Sequence, residues 1–239
     1  MWFTTRRDDP LARALRRWPA RYHSFVKSKG TTKVGYVNPN RQRVSKVDAV
    51  VFTDWETLLR DYDLHHAPRH RDELRWFAEQ ETFERVIQLA ARAESRRGKR
   101  LSHQRRIPRE AIKAAEHAMS INPASFRTAQ SFEDLLDAVT AVVLPIRGTG
   151  ALYCYDAAVR LGAFLGLEPK YIYLHAGTLR GAKALMNLTG RRPWIAKEEI
   201  PAAPLRSRSA AEIEDILCIY ERTFGTGVLL STTCGRSRC

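Results

Sequence analysis

Gly148 and Gly150 stand two apart between apolar runs that read as helices. Glycine permits the backbone angles of a tight interhelical turn. It also bares the N–H groups of Gly148, Thr149, Gly150 and Ala151 at the start of the second run, where aligned peptide dipoles favour an anion such as a phosphate. Arg147 adds a positive charge at the same point. A second run has similar character: Gly177 and Thr178 open a helix that carries Arg180 and Lys183 on its first two turns. Acid–base chemistry has three candidates in the same region, His175, Asp156 and Glu168. An imidazole titrates near neutrality and can act as a general base, and a carboxylate can take or give a proton. His65, His66 and His70 tempt a metal reading, but the spacing lacks a partner cysteine or carboxylate set, and Arg69 and Arg71 would repel a cation. No metal and no cofactor are expected.

The basic residues are clustered. Residues 1–47 hold twelve Lys or Arg against Asp8 and Asp9. Residues 96–109 hold Arg96, Arg97, Lys99, Arg100, Arg105, Arg106 and Arg109, and no acid. With a formal net charge of +14, charge gathered in two segments points to a partner-facing patch, nucleic acid first. Thirty-one of the forty basic residues are arginines, a bias that genome composition alone can give.

The order apolar helix, Gly-x-Gly turn, apolar helix over residues 132–165 resembles the helix-hairpin-helix family of DNA-binding motifs. The resemblance implies a grip on strand phosphates through the turn amides. Family members place a small residue four after the second glycine, and Cys154 stands there; they place an apolar residue between the glycines, where this chain has Thr149. The Leu144-Pro145 entry and the helix after residue 174 make the segment similar to the scaffold of helix-hairpin-helix DNA glycosylases. That resemblance implies an essential aspartate about twenty residues past the turn and, in bifunctional members, a lysine beside it that attacks the sugar. Residues 168–178 hold no aspartate and residues 147–153 no lysine. Scaffold likeness therefore carries no catalytic residue across.

These groups need helices to hold them. A basic amphipathic helix is expected over 10–29, short strands at 33–37 and 47–53, and a helix capped by Thr53 or Asp54. Pro68 reads as an interruption, followed by a helix from about residue 71. Pro108 suits the first turn of a helix over 109–120, and Ser131 with Asp134 three on is a near capping box. Further helices are expected over 132–143, 151–165, from Thr178 through Leu185, and over 210–224, with 169–174 irregular. Trp55, Trp76 and Phe77 read as core, Tyr153 and Tyr155 as lying on nearly opposite helix faces, and Asp156 with Arg160 as an i, i+4 pair.

The expected fold is mainly α. A mixed N-terminal region with one or two short strands (1–100) precedes a helical domain with the hairpin at 132–165 (101–225), then a loose tail (226–239). Four scattered cysteines fit a reducing compartment. The first 22 residues have six arginines and no long apolar core, which argues against a secretory signal, and Asp8 and Asp9 argue against an organelle presequence. A cytoplasmic location with no membrane contact is expected. The expected function is sequence-tolerant DNA binding, DNA ahead of RNA, through Arg147, Gly148, Thr149, Gly150, Ala151, Thr178, Arg180, Lys183 and the basic segment. An enzyme on damaged or structured DNA is the alternative, and a protein-interaction module another.

Overall fold

The computed structural model describes residues 52, 54–101, 104–190 and 192–224. All lie in the unit Asp48–Cys239. The expected helix at 10–29, the strand at 33–37, most of that at 47–53 and the tail lie outside the described residues.

The described chain is mainly helical, with one two-stranded antiparallel sheet. Helix α1 (Trp55–His65) begins at Asp54, whose carboxylate accepts the Thr57 N–H at 2.8 Å. Helix α2 (Ala67–Ala78) takes Pro68 in its first turn, where the missing N–H costs nothing, so proline starts this helix rather than interrupting it. Helix α3 (Phe83–Arg92) is capped by Thr82 and ends at Ala93 in the left-handed region, φ +53°. Helices α4 (Arg109–Ser120) and α5 (Pro123–Arg127) follow. Ser131 then caps α6 (Phe132–Val143), accepting from the Asp134 N–H at 3.1 Å. The turn at 144–150 leads into α7 (Ala151–Leu165), closed by Gly166 at φ +71°.

The segment 169–174, read as irregular, holds strand β1 (Ile172–Tyr173). It pairs with β2 (Trp194–Ile195) in the register Ile172 to Ile195 and Tyr173 to Trp194. Each strand is two residues long, too short to show a periodicity. Between them runs α8 (Ala176–Met186). After α9 (Ala203–Arg206), the run read as one helix over 210–224 divides at Tyr220 into α10 (Ala210–Ile219) and α11 (Glu221–Phe224).

Two apolar clusters fill the interior. One joins Phe77 with side chains of α3, α4, α6 and α7, so helices on both sides of residue 100 share a core. The spacing Phe132, Leu135, Leu136, Val139, Val143 gives α6 the stripe that faces it. The other joins Trp55, Leu58 and Tyr62 of α1 with Ile172, Ile195, Leu185 of α8, and Ile213, Ile216 and Leu217 of α10. Gly177 and Gly181 let α8 lie against α10: a Cβ on Gly181 would overlap the Leu217 carbonyl, and one on Gly177 the Cys218 sulfur. Trp55 and Phe77 are core, and Trp76 packs on its edge. Among the described residues no helix is long and apolar enough to cross a membrane.

Candidate nucleic-acid interface and the neighbouring cavity

The hairpin turn is built on hydrogen bonds. Ile146 N–H donates to Val143 O at 3.0 Å and Thr149 N–H to Ile146 O at 3.2 Å. The Thr149 hydroxyl lies 2.8 Å from both Val143 O and Ile146 O. Thr149, polar where the resembled family has an apolar residue, thus adds a second hydrogen bond to carbonyls that the turn's own N–H groups already meet. Cys154 is buried where α6 and α7 meet, its thiol pushed up to about 12 by burial.

The two glycines differ. Gly148 has φ +103°, and a Cβ there would meet Ala111 Cβ and Pro108 Cδ at 3.3 Å. Gly150 is extended, φ −153°, with nothing within 4 Å of a Cβ. Of the two glycines, only Gly148 takes a positive φ. Gly150 is the N-cap of α7 and supplies no side-chain cap, so the first-turn amides take no hydrogen bond from that residue.

Gly148 therefore seats the turn on the start of α4. Arg106 lies two residues before Pro108 and Arg109 directly follows it, while Arg147 precedes Gly148, so three exposed arginines flank the contact in sequence. Arg96, Arg97 and Lys99 project from a tight loop in which Ser95 N–H meets Lys99 O at 3.0 Å and Gly98 takes φ +64°. Arg105 is exposed, and half-buried Arg100 donates to Ile107 O at 3.0 Å.

The second run lies differently. His175, not Thr178, is the N-cap of α8. Thr178 has no exposed surface, and its hydroxyl donates to Glu214, so it has no face to offer a phosphate. Arg180 pairs with Glu221 at 2.6 Å, and Lys183 is exposed.

Of the three acid–base candidates, His175 and Asp156 lie near enough for the charge of Asp156 to act on the imidazole. His175 packs on Tyr155, ring centroids 4.8 Å apart, and burial lowers its pKa to about 4 against the opposing field of Asp156. Its Nε2 is sealed without a hydrogen-bond partner. Glu168 is exposed beyond the end of α7. Tyr153 and Tyr155 are both buried, Tyr153 donating to Ala91 O, so neither faces solvent. Gln104 stands between Asp156 and Arg160: its amide donates to Asp156, and Arg160 Nη1 reaches its oxygen at 3.4 Å. Arg160 Nε also faces Glu73 at 3.5 Å.

Asp156 and Arg160 line a cavity of about 140 Å³ between α2, α7 and α10. Its other walls include His70, Glu73, Tyr155, Glu214 and Asp215. Asp215 accepts from the Tyr62 hydroxyl at 3.2 Å and faces His70 Nδ1 at 3.8 Å. Burial raises the Glu214 carboxyl to about 8; Thr178's hydrogen bond opposes this, and Asp215 and Asp156 reinforce it. Sequence reasoning missed Glu73, Glu214 and Asp215. They sit on helix faces whose pattern reads as ordinary amphipathic surface, and only tertiary packing turns those faces inward. Among the described residues no group of three or more His, Cys, Asp or Glu side chains is placed to hold a metal ion. His65 faces Asp61 at 3.8 Å, and His66 stacks on Tyr62.

No family model, curated protein or solved structure matches this chain.

Proposed function

We propose that this protein binds the phosphate backbone of DNA without reading its sequence, through the turn at 147–151 and the arginines that flank its contact with Pro108 in sequence. The observation that carries the reading is the seat of Gly148 on Pro108 and Ala111. It puts the turn that leads into the half-buried, side-chain-uncapped start of α7 beside Pro108, near the end of the basic segment 96–109. A phosphate at the start of α7 would meet peptide N–H groups and the positive end of a 15-residue helix. Arg105, Arg106, Arg109 and Arg147 would add Coulomb attraction to neighbouring phosphates. Contacts of this kind fix position and register on a duplex and carry no base information.

Pro145, Arg147 and Gly148 are exposed, which leaves the turn open to a partner. One feature weighs against the enzyme reading. The Nε2 of His175 is shut from solvent, so that nitrogen has no surface to offer a substrate, and Glu168 is exposed beyond the end of α7. The test is fluorescence anisotropy with a labelled duplex of arbitrary sequence. The parent chain should bind duplexes of unrelated sequence alike, and replacing Arg105, Arg106, Arg109 and Arg147 by Ser should weaken binding at least tenfold. Undiminished binding by that variant would refute the reading.

A further inference from the structure

Residues 94–107, which join α3 to α4, carry six of the seven basic side chains of the segment 96–109. Backbone hydrogen bonds close this strap on itself. Ser95 N–H meets Lys99 O at 3.0 Å, Gly98 N–H meets Ser95 O at 2.8 Å, and Gln104 N–H meets Leu101 O and Ile107 N–H meets Gln104 O at 3.1 Å. Leu101 N–H ties the strap to Ala93 O, just past α3, at 3.0 Å. None of these bonds reaches α7. The strap holds six cations against one carboxylate, Glu94, so its own charge pushes it apart.

One side chain crosses to α7. Among the described residues of 94–107, Gln104 alone is buried, 2% exposed. Its amide N–H donates to Asp156, and its amide oxygen accepts from Arg160 Nη1 at 3.4 Å. The partners fix the orientation of the amide, since a carboxylate only accepts and a guanidinium only donates. The socket is itself anchored. Arg160 is 4% exposed, faces Glu73 of α2 at 3.5 Å and lies over the Phe77 ring at 5.8 Å. Half-buried Ile107 adds apolar contact with the core, which is not directional. Register and orientation of the strap against α7 therefore fall to Gln104, and breaking a buried bond of this kind leaves its partners unsatisfied.

We propose that Gln104 is a positioning residue, a latch that pins the basic strap to α7 and so presents Arg96, Arg97, Lys99, Arg100, Arg105 and Arg106 in a fixed array to a nucleic-acid backbone. The presentation rests on the DNA-binding reading; the latch does not. With the latch closed, the cations are arranged before a phosphate arrives. With it open, binding must also supply the cost of ordering them. The charge is the same in both states. The latch therefore sets affinity at a given salt concentration and leaves the number of phosphates neutralised unchanged.

The experiment is limited trypsin digestion of the full chain, with mass spectrometry to rate the cuts after residues 96–106 against those across 109–165. Gln104→Glu sets two carboxylates against each other and should be cut in the strap at least tenfold faster than the parent. Adding Asp156→Asn restores the bond with donor and acceptor exchanged, gives Arg160 a carboxylate and returns the net charge to the parent's; strap cleavage should recover to within threefold of the parent. Gln104→Met keeps the length, loses both hydrogen bonds and alters no charge. It should also be cut at least tenfold faster, and it decides if the carboxylate pair prevents folding. Its duplex affinity at fixed salt should fall at least threefold with the salt slope of the parent. Parent-like strap cleavage in folded Gln104→Met, no recovery in the double variant, or an equal rise in cleavage across 109–165 overturns the latch. Faster strap cleavage with parent-like duplex affinity overturns the presentation of the cations. Absence of duplex binding by the parent overturns the DNA reading and the presentation with it, while the cleavage rates still decide the latch.

Discussion

Replacing each hairpin glycine by valine separates turn geometry from phosphate contact. Gly148 has φ +103°, a region that a β-branched residue rarely enters, and its Cβ would press on Ala111 and Pro108 at 3.3 Å. A strained residue of this kind costs about 1–3 kcal/mol. For a domain of this size each kcal/mol is worth about 2–4 °C in melting temperature, so Gly148→Val should lower Tm by about 2–12 °C. Gly150 sits at φ −153° with open space around its Cβ. Valine accepts that backbone, and the cost is a poorer N-cap, about 1 kcal/mol or less. Gly150→Val should therefore melt within about 4 °C of the parent. Its isopropyl group would nevertheless stand in front of the α7 amides, where the phosphate is proposed to sit. Duplex affinity should fall at least tenfold, about 1.4 kcal/mol. Thermal melting by circular dichroism and fluorescence anisotropy on the same samples give both readouts. Equal melting temperatures for the two variants would refute the account of the turn. Parent-like DNA affinity in folded Gly150→Val would refute the phosphate site.

Three further outcomes are expected. Glu214, raised to about 8, holds its proton more tightly folded than unfolded, so its contribution to stability is fully present at low pH and lost as pH rises through 8; His175, lowered to about 4, contributes stability that is present above about 6.5 and lost as pH falls through 4. The two trends oppose each other between about pH 4.5 and 6.5, and above 6.5 the Glu214 loss stands alone, at up to about 1.4 kcal/mol per pH unit. Urea denaturation from pH 6.5 to 8 should show that decline in the parent and a flatter profile in Glu214→Gln; identical profiles would contradict the burial argument. Gly181→Ala, which drives a methyl into the Leu217 carbonyl, should destabilise by at least about 2 kcal/mol in denaturant titration, whereas Gly166→Ala, at a helix end with open space, should cost less despite its positive φ. Incubation with uracil, oxidised-base and abasic duplexes should yield neither base release nor strand cleavage, since the Nε2 of His175 is sealed and no lysine stands at 147–153; product formed by the parent and lost in His175→Ala would overturn that expectation.

Much of the helical layout was legible because it is written in local signals. Ser131 with Asp134, Pro108 ahead of Arg109, and Gly166 after Leu165 mark boundaries that the backbone obeys. Pro68 was misread because proline breaks a helix interior yet suits a first turn, and which applies depends on where the helix begins. Strands of two residues are held by one another and by the core, not by their own pattern. Thr178 has the residue type and place of a cap, but packing against α10 gives its hydroxyl to Glu214 instead. The hairpin was legible as glycine spacing, while the difference between Gly148 and Gly150 required the position of Pro108, some forty residues earlier in the chain. The cavity was the least legible part. Its walls come from three helices far apart in sequence, and each contributes polar residues that resemble solvated faces when read alone.

The central claim is that backbone phosphates are held by the hairpin and the arginines around Pro108 and Gly148. The most direct measurement is duplex affinity as a function of salt, for the parent and for the variant with Ser at Arg105, Arg106, Arg109 and Arg147. Each phosphate neutralised contributes about −0.9 to the slope of log K against log salt. The parent should show a steep linear fall, and the variant a slope shallower by about 3 to 4 if each arginine meets one phosphate. A parent affinity indifferent to salt, or equal slopes for the two proteins, would contradict the claim.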